Sequence, residues 1–303
     1  MKKLWAAVMA GVLAINILTG CPGSGTESKT AAGNMGDAAS SETIQENDKI
    51  GLKATVGGTK DQPAELLIFA AASMTETMTE ISAMYKDIRP DVEIIYTFDS
   101  SGTLKTQIEE GADCDIFISA SQKQMNQLDI SADPSINTEG LDFIQEGTRF
   151  NLVENKVVLA VPDGNPAGIE AYEDLGMDKL SLLCIGNEDV PVGAYSMEIL
   201  TSLGILDQLE SDSKLTYGSN VKEVTTQVKE ASVDCGIIYA TDAFSAGLTV
   251  ADEADKDQCR QVIYPAAILK GSNNKEEAEK FLDYLTRNES RAVFEAAGFT
   301  MAQ

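Results

Sequence analysis

A buried-strand pattern that becomes a helix within two or three residues is the feature that most narrows the folds open to this chain. It is clearest at Phe69-Ala70-Ala71-Ala72-Ser73-Met74-Thr75-Glu76. Leu66 to Phe69 is an apolar run of strand length, and Met74, Met78, Ile81 and Tyr85 then recur at the three- and four-residue spacing of an amphipathic helix. Ser73 stands where an N-cap belongs, and Glu76 completes a capping-box pattern. The first turn of a helix leaves backbone N–H groups without intrahelical acceptors and carries the positive end of the macrodipole. A serine there therefore either only caps its helix or also helps to hold an anion.

Strand-like and helix-like segments alternate through the rest of the body, the order of an α/β fold with largely parallel sheets. Strands are expected at Val92 to Thr97, Asp115 to Ser119, Lys156 to Val161, Leu180 to Ile185, Gly236 to Ala240 and Gln261 to Leu269. Pro265 marks the last of these as an edge or crossing strand, because proline cannot donate to a ladder. Helices are expected at Thr103 to Glu110, around Gln122 to Leu128, through Tyr195, Ile199 and Leu203, through Val221, Val224 and Val228, and at Asn274 to Thr286 and Ser290 to Ala297. Residues 131 to 150 lack a clear period.

Lys2 and Lys3 precede an apolar run from Leu4 to Leu18, the order of a secretory signal, and the run is short for a membrane span. It ends at Leu18-Thr19-Gly20-Cys21, which resembles a bacterial lipobox and implies cleavage before Cys21 and diacylation of its thiol. The other reading of residues 1–20 is an uncleaved signal anchor. Residues 21–63 are rich in Gly, Ser, Thr, Ala, Asn and charges, too polar to offset their ordering entropy by burial, and read as a flexible tether.

Without residues 1–20 the chain would carry 21 basic and 48 acidic residues, a net charge of −27. Such a chain is poorly suited to nucleic acid or anionic membrane surfaces, and any anion site must be built from local donors. The sequence contains no histidine, which excludes Ser-His-Asp and Cys-His catalysis and His-ligated zinc. Ser211 to Lys214 and Ser272 to Lys275 match S-x-x-K without its companion motifs, and both lie in polar stretches. Cys114, Cys184, Cys235 and Cys259 form no C-x-x-C pair, and Asp113 and Asp115 read as solvated or capping carboxylates.

Four helix starts share one design: a small or uncharged cap, an apolar stripe behind it, and no lysine or arginine at the mouth. They are Ala72-Ser73, Ser100 to Thr103, Val190 to Ala194, and Gly218 to Val221. If the fold converges them, about half a positive charge from each would offer about two units, matched to a dianion without a salt bridge. Those motifs, with Gln107 to Ala112, Asp115 to Ala120 and Gly236 to Ala243 in the same order, resemble the molybdate-binding proteins of molybdate ABC transporters from about residue 65 onward. The resemblance implies a non-enzymatic, two-lobed α/β binding protein of the type II periplasmic class, with no cofactor and no direct protein–molybdenum ligand. Lobe 1 would comprise residues 64–151 and 261–303, and lobe 2 residues 152–260, joined by two crossing segments.

Carried over by position, Ser73 and Ser101 would supply hydroxyl and N–H donors, Val192 and Val221 backbone N–H groups, and Tyr239 its phenolic proton. The other reading of Tyr239 from the residues alone is a core tyrosine. The family pattern has alanine where Asp99 and Val192 stand and serine where Gly102 stands; Asp99 is expected to turn outward or to cap the following helix. The implied protein is an exported monomer, lipid-anchored through Cys21 to the outer face of the cell membrane. It would deliver molybdate or tungstate to a permease driven by a cytoplasmic ATPase. The alternatives are the same fold holding another tetrahedral oxyanion such as sulfate, or a surface lipoprotein with an interaction role.

Overall fold

A computed structural model describes residues 63–302. The expected export segment, Cys21 and all but the last residue of the expected tether lie outside the described residues. Among the described residues no helix is long and apolar enough to cross a membrane, and no cluster of His, Cys, Asp or Glu is arranged to hold a metal ion.

The chain begins with β1 (Ala64–Ala71), a 3-10 turn (Ala72–Met74) and α1 (Thr75–Ile88), and continues with β2 (Val92–Asp99), α2 (Ser101–Glu109), β3 (Ile116–Ile118) and α3 (Gln122–Leu128). In β1, Leu66, Ile68 and Ala70 alternate with Leu67 and Phe69, so the two sets leave opposite faces of the sheet. The first set packs in one cluster with Met74 at the end of the 3-10 turn and Met78, Ile81 and Tyr85 of α1. Phe69 meets Leu104 and Ile108 of α2 and Met125 and Leu128 of α3. β1 pairs in parallel with β2 and β3, which sends α1 and α2 away from the same sheet edge, each starting at the C-terminal end of a strand.

After a long irregular stretch, β4 (Phe150–Asn155) leads through Lys156 directly into β5 (Val157–Val161) of a second sheet. That sheet is completed by β6 (Leu183–Gly186), β7 (Leu215–Gly218), β8 (Cys235–Tyr239) and β9 (Thr249–Glu253). Its helices are α4 (Pro191–Ser202), α5 (Leu206–Ser211), α6 (Val221–Lys229) and α7 (Ala240–Ala246). The chain then crosses back to β10 (Val262–Ile268), α8 (Lys275–Leu285), α9 (Asn288–Ala296) and β11 (Thr300–Met301). Strand order is β11-β4-β10-β3-β1-β2 in the first sheet and β7-β6-β8-β5-β9 in the second. The fold is therefore two α/β lobes joined by two crossings.

Three sequence expectations change. The sheets are mixed rather than largely parallel: β10 runs antiparallel to β3 and β4, and β5 antiparallel to β8 and β9, because each crossing brings the chain in against the direction of the strands it joins. The expected lobe boundary at 151/152 falls inside β4, whose residues pair with β10 in the first sheet. Of the two readings of Pro265, β10 is the crossing strand and not an edge; a register shift between Tyr264 and Pro265 absorbs the missing N–H, as a bulge does. The four cysteines of the described body are free. Asp115, expected to be solvated or to cap, is buried. Its carboxylate accepts from the Leu67 N–H at 2.8 Å and from the Ser272 hydroxyl at 2.5 Å, tying the start of α8 to the first sheet.

Candidate anion-binding cleft

Strand ends and helix starts from both lobes face one another across the crossings and border a small cavity. It is lined by Ala71, Ala72, Ser73, Asp99, Ser100, Ser101, Ala120, Val190, Pro191, Val192, Val221 and Tyr239. Ser73, Ser101, Val192, Val221 and Tyr239, the five residues singled out in the sequence, all line it, two from the first lobe and three from the second. Each is at least 95% buried. Cys21, the proposed lipidation residue, lies outside the described residues.

Local chemistry explains how each is placed. Ser100, not Ser101, caps α2: its hydroxyl accepts from the Thr103 N–H at 3.0 Å. Ser101 is then the first helical residue, with an N–H that has no acceptor inside the helix. Its hydroxyl oxygen accepts from the Ala120 N–H at 2.9 Å, which leaves the hydroxyl proton free to donate. Pro191 occupies the first turn of α4, where its missing N–H costs nothing, and Val192 follows it. Gly193 lets this turn lie on the end of β6, since a Cβ there would stand 2.3 Å from the Gly186 carbonyl oxygen. Asn220 caps α6 by accepting from the Glu223 N–H at 3.0 Å, and Val221 supplies the first free N–H.

Ser73 departs from the capping reading. Its turn is 3-10, preceded by Ala71 with no side-chain cap, and α1 proper starts at Thr75. The Ser73 hydroxyl is instead within 2.8 Å of the Tyr264 hydroxyl on β10, and the Asn155 amide donates to that same Tyr264 oxygen at 3.3 Å. Glu76 does not reach back to close a capping box; it pairs with Lys222 of the other lobe. The mouth is thus not free of cations. Lys222 lies in the first turn of α6, but its ammonium is engaged by Glu76 and Asp242 and does not line the cavity.

Asp99 neither turns outward nor caps α2. It is half-buried on the cavity wall, with Oδ1 accepting from the Ser100 N–H at 2.7 Å and from the Asn220 side-chain amide of the opposite lobe at 3.3 Å. Two neutral donors therefore answer its charge at the edge of the site.

Tyr239 ends β8 and immediately precedes α7, a helix not expected from the sequence. Its ring stands edge-on between those of Tyr195 and Tyr264, with centroids at 6.4 Å and 5.9 Å. Its hydroxyl is buried without a protein hydrogen-bond partner. Burial first, and then the surrounding tyrosines and Asp242, push its ionisation well above the ordinary phenol range, so it remains a proton donor. The arrangement offers a small buried anion several neutral donors at helix starts and one phenol in need of an acceptor. It offers no nucleophile paired with a base.

A wider depression of about 410 Å³ lies along the crossings, lined by Glu154, Lys156, Glu253, Lys256 and Arg260 among others. Its mixed charges present no convergent set of donors.

Comparison with known proteins agrees with this geometry. The family model for bacterial extracellular solute-binding proteins matches residues 66–300. A putative ABC transporter substrate-binding lipoprotein, YvgL, of Bacillus subtilis is 33% identical over 242 residues, covering 79% of this chain and 88% of that protein. The molybdate-binding protein ModA of Haemophilus influenzae is 34% identical over 242 residues, covering 78% and 90%. Among solved structures, the substrate-binding domain of a putative molybdenum ABC transporter from Clostridium difficile is 33% identical with a TM-score of 0.58, covering 79% of this chain and all of that one. The periplasmic molybdate-binding protein of Azotobacter vinelandii shares the fold at 22% identity with a TM-score of 0.68, covering 78% of this chain and all of that one. The chain belongs to the bacterial extracellular solute-binding proteins, two-lobed receptors that bind a solute for an ABC transporter rather than transform it.

Proposed function

We propose that this protein captures molybdate, and the nearly isosteric tungstate, in the cavity between its lobes and delivers it to a membrane permease powered by a cytoplasmic ATPase. The observation that carries this reading is that Tyr239, whose hydroxyl is buried without a protein partner, lines the same cavity as the first-turn residues Ser101, Val192 and Val221 of α2, α4 and α6. A buried donor lacking an acceptor costs about 1–3 kcal/mol. An oxyanion oxygen removes that cost and also accepts from Ser101, Val192 and Val221. Relatives named for molybdate binding support the choice of ion.

The first-lobe hydroxyls are polarised toward the site. Asn155 donates to Tyr264; in this reading the Tyr264 proton goes to Ser73, 2.8 Å away, and the Ser73 proton is left for the ligand. Ser101 accepts from Ala120 and donates forward in the same sense. Because donors come from both lobes, the ligand is fully coordinated only when the cleft is closed. It therefore stabilises the closed state by its differential affinity. No cofactor and no direct bond from protein to molybdenum enters this scheme, and the protein acts as a monomer. Cleavage before Cys21 and diacylation of its thiol would hold it at the outer face of the membrane, two acyl chains being enough for stable anchoring.

Titration calorimetry of the purified protein with molybdate, tungstate, sulfate and phosphate tests the reading. One-to-one binding of molybdate and tungstate with no response to sulfate is expected. Response to sulfate or phosphate alone would transfer the site to another oxyanion, and silence from all four would favour a lipoprotein with an interaction role.

A further inference from the structure

Three contacts join the lobes directly at the rim of the cleft. The Gly102 N–H donates to the Asp189 carbonyl at 3.1 Å, the Asn220 side-chain amide to Asp99 at 3.3 Å, and the Lys222 ammonium to Glu76 Oε2 at 2.7 Å. The third differs in having a second carboxylate behind it. Lys222 Nζ also lies 3.1 Å from Asp242 Oδ1, and Asp242 belongs to α7 of the same lobe as Lys222. The Asp242 side chain is fully buried and neither of its oxygens accepts a hydrogen bond. A buried carboxylate in that position depends on a nearby cation, and the cation that answers it belongs to its own lobe. Glu76, in the first turn of α1, comes from the opposite lobe and is half-exposed. Its contact with Lys222 exists only when the lobes meet.

We propose that Lys222, held in place by Asp242, is a latch: on closure its ammonium captures Glu76 and prolongs residence of the bound oxyanion without touching it. Lys222 directly follows Val221, whose N–H lines the cavity, so the latch and the anion donors share the first turn of α6 and engage in one movement. The ammonium also offsets two carboxylates that would otherwise add to the field opposing an incoming dianion. Lys222 and Glu76 are positioning residues in this scheme, which rests on the oxyanion reading above.

Two measurements on the full chain in detergent solution test it. In the first, carbodiimide, which joins only carboxylates and amines already in contact, is applied with and without molybdate and the products are located by peptide mass spectrometry. A Glu76–Lys222 link is expected to form and to increase with molybdate. The Lys105–Glu109 ion pair within α2, at 2.6 Å, serves as an internal standard that does not change. In the second, molybdate affinity is compared for the wild type, Glu76→Gln and Glu76→Lys. A partly exposed ion pair supports a weakening of about two- to fivefold for Glu76→Gln at low salt. Glu76→Lys should weaken binding further. The wild type and Glu76→Gln should converge at about 0.5 M salt, where screening acts over a few ångströms, whereas a merely structural role would leave a gap that salt does not close.

Absence of the link in molybdate-saturated protein while the standard forms overturns the latch, as does an unchanged affinity in both variants. If the wild type does not respond to molybdate, the oxyanion reading fails, and the latch is decided by the link in ligand-free protein: its presence supports the contact and its absence removes it.

Discussion

Tyr239→Phe removes one oxygen and little volume, and its two consequences differ in sign for the two functions a buried tyrosine can serve. If the phenol donates to a bound oxyanion, the variant loses a hydrogen bond to a charged acceptor, about 1.5–3 kcal/mol, or roughly a ten- to 150-fold weakening. The ligand-free protein loses nothing, because the hydroxyl has no protein partner. The closed ligand-free form is also relieved of a buried unsatisfied donor. A core tyrosine would behave the other way, with stability falling and affinity unaffected. Titration calorimetry with molybdate and thermal unfolding of the ligand-free variant separate these cases. The expected result is a large affinity loss with a melting temperature unchanged or slightly raised, where a loss of 1 kcal/mol would have lowered it by about 2–4 °C. Since burial keeps the phenol protonated well above its ordinary range, this contribution should not change between neutral pH and about pH 9, one unit below the usual phenol value. Unchanged affinity together with a lower melting temperature would refute the assignment of Tyr239 to the site.

Other outcomes follow from the same geometry. Gly102→Ala would place a Cβ 2.1 Å from the Asp189 carbonyl oxygen across the cleft, so it should obstruct closure and weaken ligand binding at least tenfold while leaving the ligand-free melting temperature nearly unchanged. Gly193→Ala, whose Cβ would meet the Gly186 carbonyl oxygen within one lobe, should instead cost about 1–3 kcal/mol of stability, as overpacking does, seen as a lower melting temperature without ligand. Burial raises the Asp242 carboxyl from 3.8 to about 6, with Lys222 opposing that shift. The folded state then holds this proton more tightly than the unfolded state, so its contribution is present below about pH 3.8 and is lost as pH rises through about 6, on the order of 3 kcal/mol in all. Melting temperature of the wild type relative to Asp242→Asn should therefore fall across that window, and a flat difference would contradict it. Burial pushes the Cys114 and Cys184 thiols to about 12 and raises Cys259 as well, but Cys259 is half-buried where the other three are buried, so a thiol reagent should modify Cys259 first in the native body.

The use of neutral donors suits a protein this acidic. A flexible lysine ammonium acts on an anion as a point charge, whereas N–H groups fixed in helix first turns have set directions. The nearest ammonium, that of Lys222, is instead taken up by Glu76 and Asp242.

Much of this molecule was legible along the chain because the signals are local. The stripe Met74, Met78, Ile81 and Tyr85 is buried along the 3-10 turn and α1, the run beginning at Leu66 is a strand, and α3 occupies Gln122–Leu128 as its spacing predicts. The helix starts at Ser101, Val192 and Val221 were visible from their small or capping residues and from the periodicity behind them. Their gathering around one cavity was expected from resemblance and is a property of the fold.

Elements defined by their partners were harder to read. β4 carries Asn151 and Asn155 among its apolar residues and exists because β10 and β11 pair with it; β9, at a sheet edge and largely exposed, has no apolar alternation to announce it. The hydroxyl of Ser73 went to Tyr264, 191 residues away, rather than to its own helix. Asp99 found Asn220 across the cleft, and Lys222 found Glu76 and Asp242 on two different elements. Sequence by itself determined the strand-to-helix junctions and the supply of neutral donors, since propensity, capping and periodicity act within a few residues. Tertiary structure alone decided which donors share a cavity and which charges cancel across it, because those depend on distances between groups that the chain separates by about twenty to almost two hundred residues.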